Sequence, residues 1–217
     1  MRKFMRILFI GDSITDTGRD RETGVEDFRR GTGLGHGYVS FVAAELIHRN
    51  PNGYEIINRG VSGNRSVDIY ARIKADCWNL NPDVVSVFVG INDVYPQELE
   101  NNAVELDRYE KIYRMLIEDT KDKLPNVKMI LCEPFMLAES ANENDIIKWT
   151  CYPGVKEYAA TVRKLAKEYD LSFVALQDKL EQAAAGHADC YAFDGIHPTP
   201  AGAKIIATEW LKAFEQI

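Results

Sequence analysis

The sequence predicts an α/β fold built on a parallel sheet. Two observations carry this. Short β-branched and aromatic runs alternate with longer segments of helical period along the whole chain. The strongest run, Val84 to Val89, is almost continuously apolar, with only Ser86 between, as a strand covered on both faces requires. Right-handed crossovers then put helices on both faces of the sheet. Turns that follow successive strands fall on one edge, however far apart they lie in the chain.

Taken in order, Ile7-Leu8-Phe9-Ile10 reads as a buried strand that ends abruptly in Gly11-Asp12-Ser13. A long stretch rich in glycine and charge, Asp16 to Gly37, follows. It is too long for a simple βα turn, and such loops are often functional. Tyr38 to His48 is a helix whose buried face is expected from Phe41, Val42, Leu46 and Ile47. Asn50-Pro51-Asn52-Gly53 stops it. Tyr54 to Asn58 is the second strand, and it runs into Arg59-Gly60-Val61-Ser62-Gly63-Asn64-Arg65-Ser66. Ser66 is placed as the N-cap of a helix over Val67 to Asn79. The third strand ends in Gly90-Ile91-Asn92-Asp93, and a loop leads to about Leu106.

Asp107 to Lys123 carries Tyr109, Ile112, Tyr113, Leu116 and Ile117 at helical spacing. Val127 to Cys132 is the fourth strand, followed by Glu133-Pro134 and a segment read as irregular to about Pro153. Val155 to Tyr169 is a helix with Val162, Leu165 and Ala166 inward. Leu171 to Leu176 is the fifth strand, and a short helix spans about Asp178 to Ala185. Asp194 to Pro200 leads into a closing helix, Ala201 to Phe214. No repeat, low-complexity tract or linker interrupts this order, so 1–217 is expected to form a single domain.

Composition narrows the function classes. Hydrophobic residues at 46% and charged ones at 27% are ordinary for a globular protein. A net charge of −7 argues against nucleic acid or an anionic membrane as partner. No apolar window is long enough to span a bilayer, and the first strand begins with no signal segment before it. The four cysteines, Cys77, Cys132, Cys151 and Cys190, contain no Cys-x-x-Cys pair and fit reduced thiols. A cytoplasmic location is therefore expected.

The strand-end turns hold the chemistry of acyl transfer. That reaction needs a nucleophile, a base, a group that orients the base, and donors for the developing oxyanion. Ser13 stands at a strand's carboxyl end, where open α/β sheets bind their ligands. His197 can exchange protons near neutral pH. Asp194 precedes it by three residues, so one helical turn or a tight bend brings carboxylate and imidazole to the same side. The oxyanion donors are expected to be the Ser13 N–H, the Gly63 N–H and the Asn92 side-chain amide, a neutral donor that does not compete for the proton.

Four blocks carry a family resemblance: Gly11-Asp12-Ser13-Ile14-Thr15, Gly60-Val61-Ser62-Gly63-Asn64, Gly90-Ile91-Asn92-Asp93 and Asp194-Gly195-Ile196-His197-Pro198. Together, and in this order, they resemble the motif blocks of the SGNH (GDSL-type) hydrolases. The Ser, Gly, Asn and His of the family's name fall on Ser13, Gly63, Asn92 and His197. The resemblance implies a flavodoxin-like α/β/α sandwich with a five-stranded parallel sheet, no cofactor or metal, and ester hydrolysis through a serine acyl-enzyme. The loop sequences are further similar to bacterial intracellular carbohydrate acetylesterases of the acetylxylan esterase branch. This implies removal of O-acetyl groups from carbohydrates, xylo-oligosaccharides foremost, from a small-molecule or oligosaccharide ester. Phe193 departs from that branch, which can carry Trp there. The alternative is a lysophospholipase or thioesterase using the same residues.

Gly31 to Gly37 lacks the Gly-x-Gly-x-x-Gly spacing of a dinucleotide loop. No Gly-x-Ser-x-Gly elbow frames Ser13. His36, His48 and His187 have no partners at metal-ligand spacing. Cys151 lacks the turn context of a nucleophile. Asp12 is expected to be a supporting acceptor and Asp93 to be structural. Tyr95, Phe135, Trp149, Tyr191 and Phe193 are aromatics near the proposed edge, either packing or forming a sugar platform. The loops 16–37 and 133–153 are candidates for pocket walls or subunit contacts, so a homo-oligomer is among the expectations.

Overall fold

The computed structural model describes residues 4–21, 31–94, 102–137 and 146–217, apart from the side chains of 146–153. Five parallel strands form one sheet in the order β2-β1-β3-β4-β5. They are β1 (Met5–Gly11), β2 (Tyr54–Gly60), β3 (Val84–Phe88), β4 (Lys128–Cys132) and β5 (Ser172–Val174). Seven α-helices are present among the described residues. They are α1 (Ser13–Asp16), α2 (Tyr38–Arg49), α3 (Ser66–Asp76), α4 (Leu106–Lys123), α5 (Ile146–Glu168), α6 (Gln177–Ala184) and α7 (Pro200–Phe214). None is long and apolar enough to cross a membrane.

The period of the strands divides the interior into two cores. Ile7 and Phe9 of β1 pack with residues of α2, α6 and α7, whereas Leu8 and Ile10 pack with residues of α3, α4 and α5. Alternate side chains of a strand face opposite ways, so one four-residue run feeds both layers. Ser86 breaks the apolar run of β3 without leaving its hydroxyl idle: the Trp210 indole N–H of α7 donates to Ser86 Oγ at 2.9 Å, and both residues are fully buried.

Strand register sets up the functional edge. Gly11 pairs with Gly60, and Phe88 of β3 pairs with Gly11. The first three strands thus end level, and the turns that follow them emerge side by side.

Some boundaries differ from the expectations. The fifth strand is three residues long, and α5 begins at Ile146 rather than after Pro153. Gly154 gives the helix room against Val94, whose Cγ1 would lie 2.7 Å from an added Cβ. In α2 the buried face is Tyr38, Val39, Val42, Ala43 and Leu46, while Phe41 and Ile47 are half-buried. In α4, Thr120 joins Tyr109, Tyr113, Leu116 and Ile117 in the buried set. Ser66 is not the cap of α3. Arg65 holds that position, and Ser66 is turned inward and fully buried.

Candidate active site

Ser13 opens a single helical turn directly after β1. The Asp12 carboxylate caps it, accepting from the Ile14 N–H at 2.9 Å, and Thr17 at φ 40° ends it. So short a helix needs outside support. Asn58 of β2 supplies some: its amide donates to the carbonyls of Thr15 at 2.6 Å and Leu34 at 2.8 Å. Gly60 supplies the rest by lacking a side chain, since a Cβ there would lie 2.2 Å from the Asp16 nitrogen. The turn carrying Ser13 therefore rests on the bare end of β2.

The C-terminal block reaches the same place from 184 residues away: Ser13 Oγ and His197 Nε2 are 2.9 Å apart. His197 Nδ1 is 2.7 Å from Asp194 Oδ2. Asp194 Oδ1 accepts the N–H groups of Ile196 at 3.0 Å and His197 at 2.7 Å. That bend, which passes through Gly195 at φ 85°, is what brings carboxylate and imidazole to one side. Burial raises the Asp194 carboxyl. The bonds from the His197 ring and from the two backbone N–H groups outweigh this and hold it well below the usual carboxylate range. Asp194 is thus an anion at neutral pH, able to fix the imidazole's tautomer and to stabilise an imidazolium. The loop is anchored from outside by Leu137 N–H to Gly195 O at 2.8 Å.

Two further donors face this edge. Gly63 lies on an exposed loop at φ 81°, a conformation glycine adopts without strain. Every other N–H from Val61 to Ser66 is hydrogen-bonded, and that of Gly63 has no acceptor among the described residues. The Asn92 amide donates one hydrogen to Asn64 O at 3.0 Å and keeps its second. Asn64 is held in turn by Arg72, whose Nε donates to its Oδ1 at 2.7 Å.

Three acidic side chains sit beneath. Burial, with a smaller push from the Asp93 charge, raises the Asp12 carboxyl to about 7 against the pull of the Ile14 N–H. Asp93 is fully buried and accepts from Ser66 N at 3.0 Å and from Ser66 Oγ at 2.5 Å. Burial raises its carboxyl to about 6. Asp16 accepts from Ser62 N at 3.0 Å and Ser62 Oγ at 2.9 Å.

Of the candidate aromatics, Phe135 is core, packed against Phe88, and Tyr191 packs on the core. Phe193 is 63% exposed, and its ring stacks on His197 at 5.8 Å. Tyr95 and the side chains of Trp149 and Cys151 lie outside the described residues. His36, His48 and His187 are exposed. Among the described residues no group of three His, Cys, Asp or Glu is arranged for a metal ion. The sequence reading missed Asp16 and Arg72, and gave Ser66 a different job. Their partners lie 46, 8 and 27 residues away in the chain, beyond any local motif.

A parallel sheet whose carboxyl edge holds a hydroxyl, an imidazole and a carboxylate in hydrogen-bonded series has the parts that acyl transfer needs, without a Gly-x-Ser-x-Gly elbow. The chain belongs to the GDSL-like lipase/acylhydrolase family, whose profile matches residues 9–205, and it is a carboxylic ester hydrolase. It is 36% identical over 214 residues to an acetylxylan esterase from Geobacillus stearothermophilus, covering 95% of this chain and 92% of that one. The crystal structure of Axe2, an acetylxylan esterase from the same organism, superposes with a TM-score of 0.79 at 33% identity, covering 98% and 96% of the two chains. A structure from Parabacteroides merdae ATCC 43184, described as a GDSL-like lipase, superposes with a TM-score of 0.89 at 34% identity, covering 100% and 98%.

Proposed function

We propose that the chain is a serine esterase that removes acetyl groups from O-acetylated carbohydrates, xylo-oligosaccharides foremost. The observation that carries the reaction is the relay at the sheet edge, Ser13 Oγ to His197 Nε2 to Asp194, at 2.9 and 2.7 Å. The acetyl and carbohydrate parts are supported by the similarity to acetylxylan esterases.

Ser13 Oγ attacks the ester carbonyl carbon as its proton passes to His197 Nε2. Asp194 stabilises the imidazolium. The carbonyl oxygen becomes an oxyanion, received by the Ser13 N–H, the Gly63 N–H and the spare Asn92 hydrogen. The tetrahedral adduct collapses, the bond to the sugar oxygen breaks, and that oxygen takes the proton from His197. A water molecule then attacks the acetyl-serine ester, giving its proton to His197. Acetate leaves, and the proton returns to Ser13.

The test is acetate release from acetylated xylo-oligosaccharides, with p-nitrophenyl esters of increasing chain length alongside. A sharp preference for acetyl, with activity abolished in a folded Ser13→Ala variant, supports the reading. Activity rising with acyl length turns it toward a lysophospholipase or thioesterase. Full activity in Ser13→Ala overturns the nucleophile.

A further inference from the structure

The loop from Val61 to Ser66 presents the Gly63 N–H, yet it has little packing of its own. Ser62 and Gly63 are exposed, and an added Cβ on Gly63 would meet nothing within 4 Å. Its position therefore depends on hydrogen bonds made by its neighbours. On one side, Asp16 Oδ2 takes both donors of Ser62, at 3.0 and 2.9 Å. On the other, Asp93 takes both donors of Ser66, at 3.0 and 2.5 Å. Asp16 and Asp93 are 3% and 0% exposed.

Each carboxylate also belongs to another part of the site. Asp16 ends the helical turn that Ser13 begins. Asp93 follows Asn92 in the short helical turn Asn92–Val94. Holding Ser62 therefore ties Gly63 to the nucleophile, and holding Ser66 ties it to Asn92. We infer that Asp16 and Asp93 are positioning residues that lock the three oxyanion donors, on Ser13, Gly63 and Asn92, into one rigid set. The inference deepens the esterase reading and rests on it.

A carboxylate is an odd holder for a site that must stabilise negative charge, since its own charge opposes the oxyanion. What it offers is acceptor capacity: two oxygens, with about four lone-pair sites and no donor. One carboxylate can therefore satisfy an N–H and an O–H from the same serine. Asparagine offers one carbonyl oxygen and turns an NH₂ toward donors. At Asp16 the opposing charge is partly offset by Arg21, which pairs with it, and by Arg19, whose Nε is 3.8 Å away.

The experiment compares Asp16→Asn and Asp93→Asn with wild type for kcat and KM on p-nitrophenyl acetate. It also measures Ki for a small alkyl boronic acid. The boronate adduct on Ser13 places an oxygen where the oxyanion forms, so its Ki reads the donors directly. A donor set out of place lowers kcat by about 10- to 100-fold with KM little changed. Ki for the boronate rises by the same factor. Ser62→Ala and Ser66→Ala, which each remove one hydroxyl bond, serve if the Asp variants do not fold; about 3- to 10-fold is expected there. Folded variants whose kcat and boronate Ki stay within about twofold of wild type overturn the inference. So does a fall in kcat with boronate affinity unchanged. Ser13→Ala and Asn92→Ala run as controls: if they keep full activity, the esterase site itself is wrong rather than its support.

Discussion

The Asp12 carboxyl lies next to Ser13, the proposed nucleophile, and is 1% exposed, which makes it a measurable cost to folding. Burial, assisted by the Asp93 charge, raises it to about 7 from its ordinary 3.8. A carboxyl raised in the folded state binds its proton more tightly there than in the unfolded chain. Stability is therefore greatest below the unfolded value and falls as pH rises from about 4 to about 7. Each pKa unit corresponds to about 1.4 kcal/mol, so the loss above pH 7 reaches about 4 kcal/mol. Asn at this position resembles the protonated acid: it keeps an oxygen for the Ile14 N–H and carries no charge. Asp12→Asn is expected to match wild type near pH 4 and to exceed it by up to about 4 kcal/mol at pH 8. Urea unfolding at the two pH values checks this, with the slope compared to confirm that the unfolded state is unchanged. A stability difference that is the same at both pH values refutes the argument, because it would owe nothing to titration of this carboxyl.

Asn92→Ala is expected to lower kcat by about 2.7–4 kcal/mol equivalent with KM nearly constant; a change confined to KM would mark Asn92 as a ground-state binder. Asp194→Asn should leave the fold intact and cut kcat by up to about 10⁴, because the imidazole loses its fixed tautomer; steady-state kinetics with circular dichroism check both halves. Gly60→Ala forces a Cβ to 2.2 Å from the Asp16 nitrogen, so the Ser13 turn must lift off β2. Its thermal midpoint and its activity should both fall, and a fully active, equally stable variant would refute the seating of α1 on β2.

Much was legible in the chain because it is written in local pattern. Short, nearly continuous runs of β-branched and aromatic residues marked the strands, and apolar residues at a 3.6-residue period marked the helices. Strand-end turns at Ser13, Gly63 and Asn92 had to share an edge once the sheet was parallel. The Asp194-to-His197 spacing allowed a helical turn or a tight bend; the structure has the bend, closed by Asp194's own carboxylate. Where pattern misled, a competing interaction was the reason. A serine before a helix normally caps it, but Ser66 turns inward because Asp93, 27 residues on, offers a buried acceptor.

By itself, then, the sequence determined the order and direction of the strands' alternation with helices, and the residue types able to carry acyl transfer. Only the tertiary structure decided that Ser13 Oγ lies 2.9 Å from an imidazole 184 residues away, that glycine at 60 is what lets the Ser13 turn sit on β2, and that Asp16 and Asp93 grip the two ends of the Gly63 loop. Period and turn chemistry act over a few residues and are visible in any short window. Carboxylates that hold loops from other strands act through space, and the chain must close its sheet before they have anything to hold.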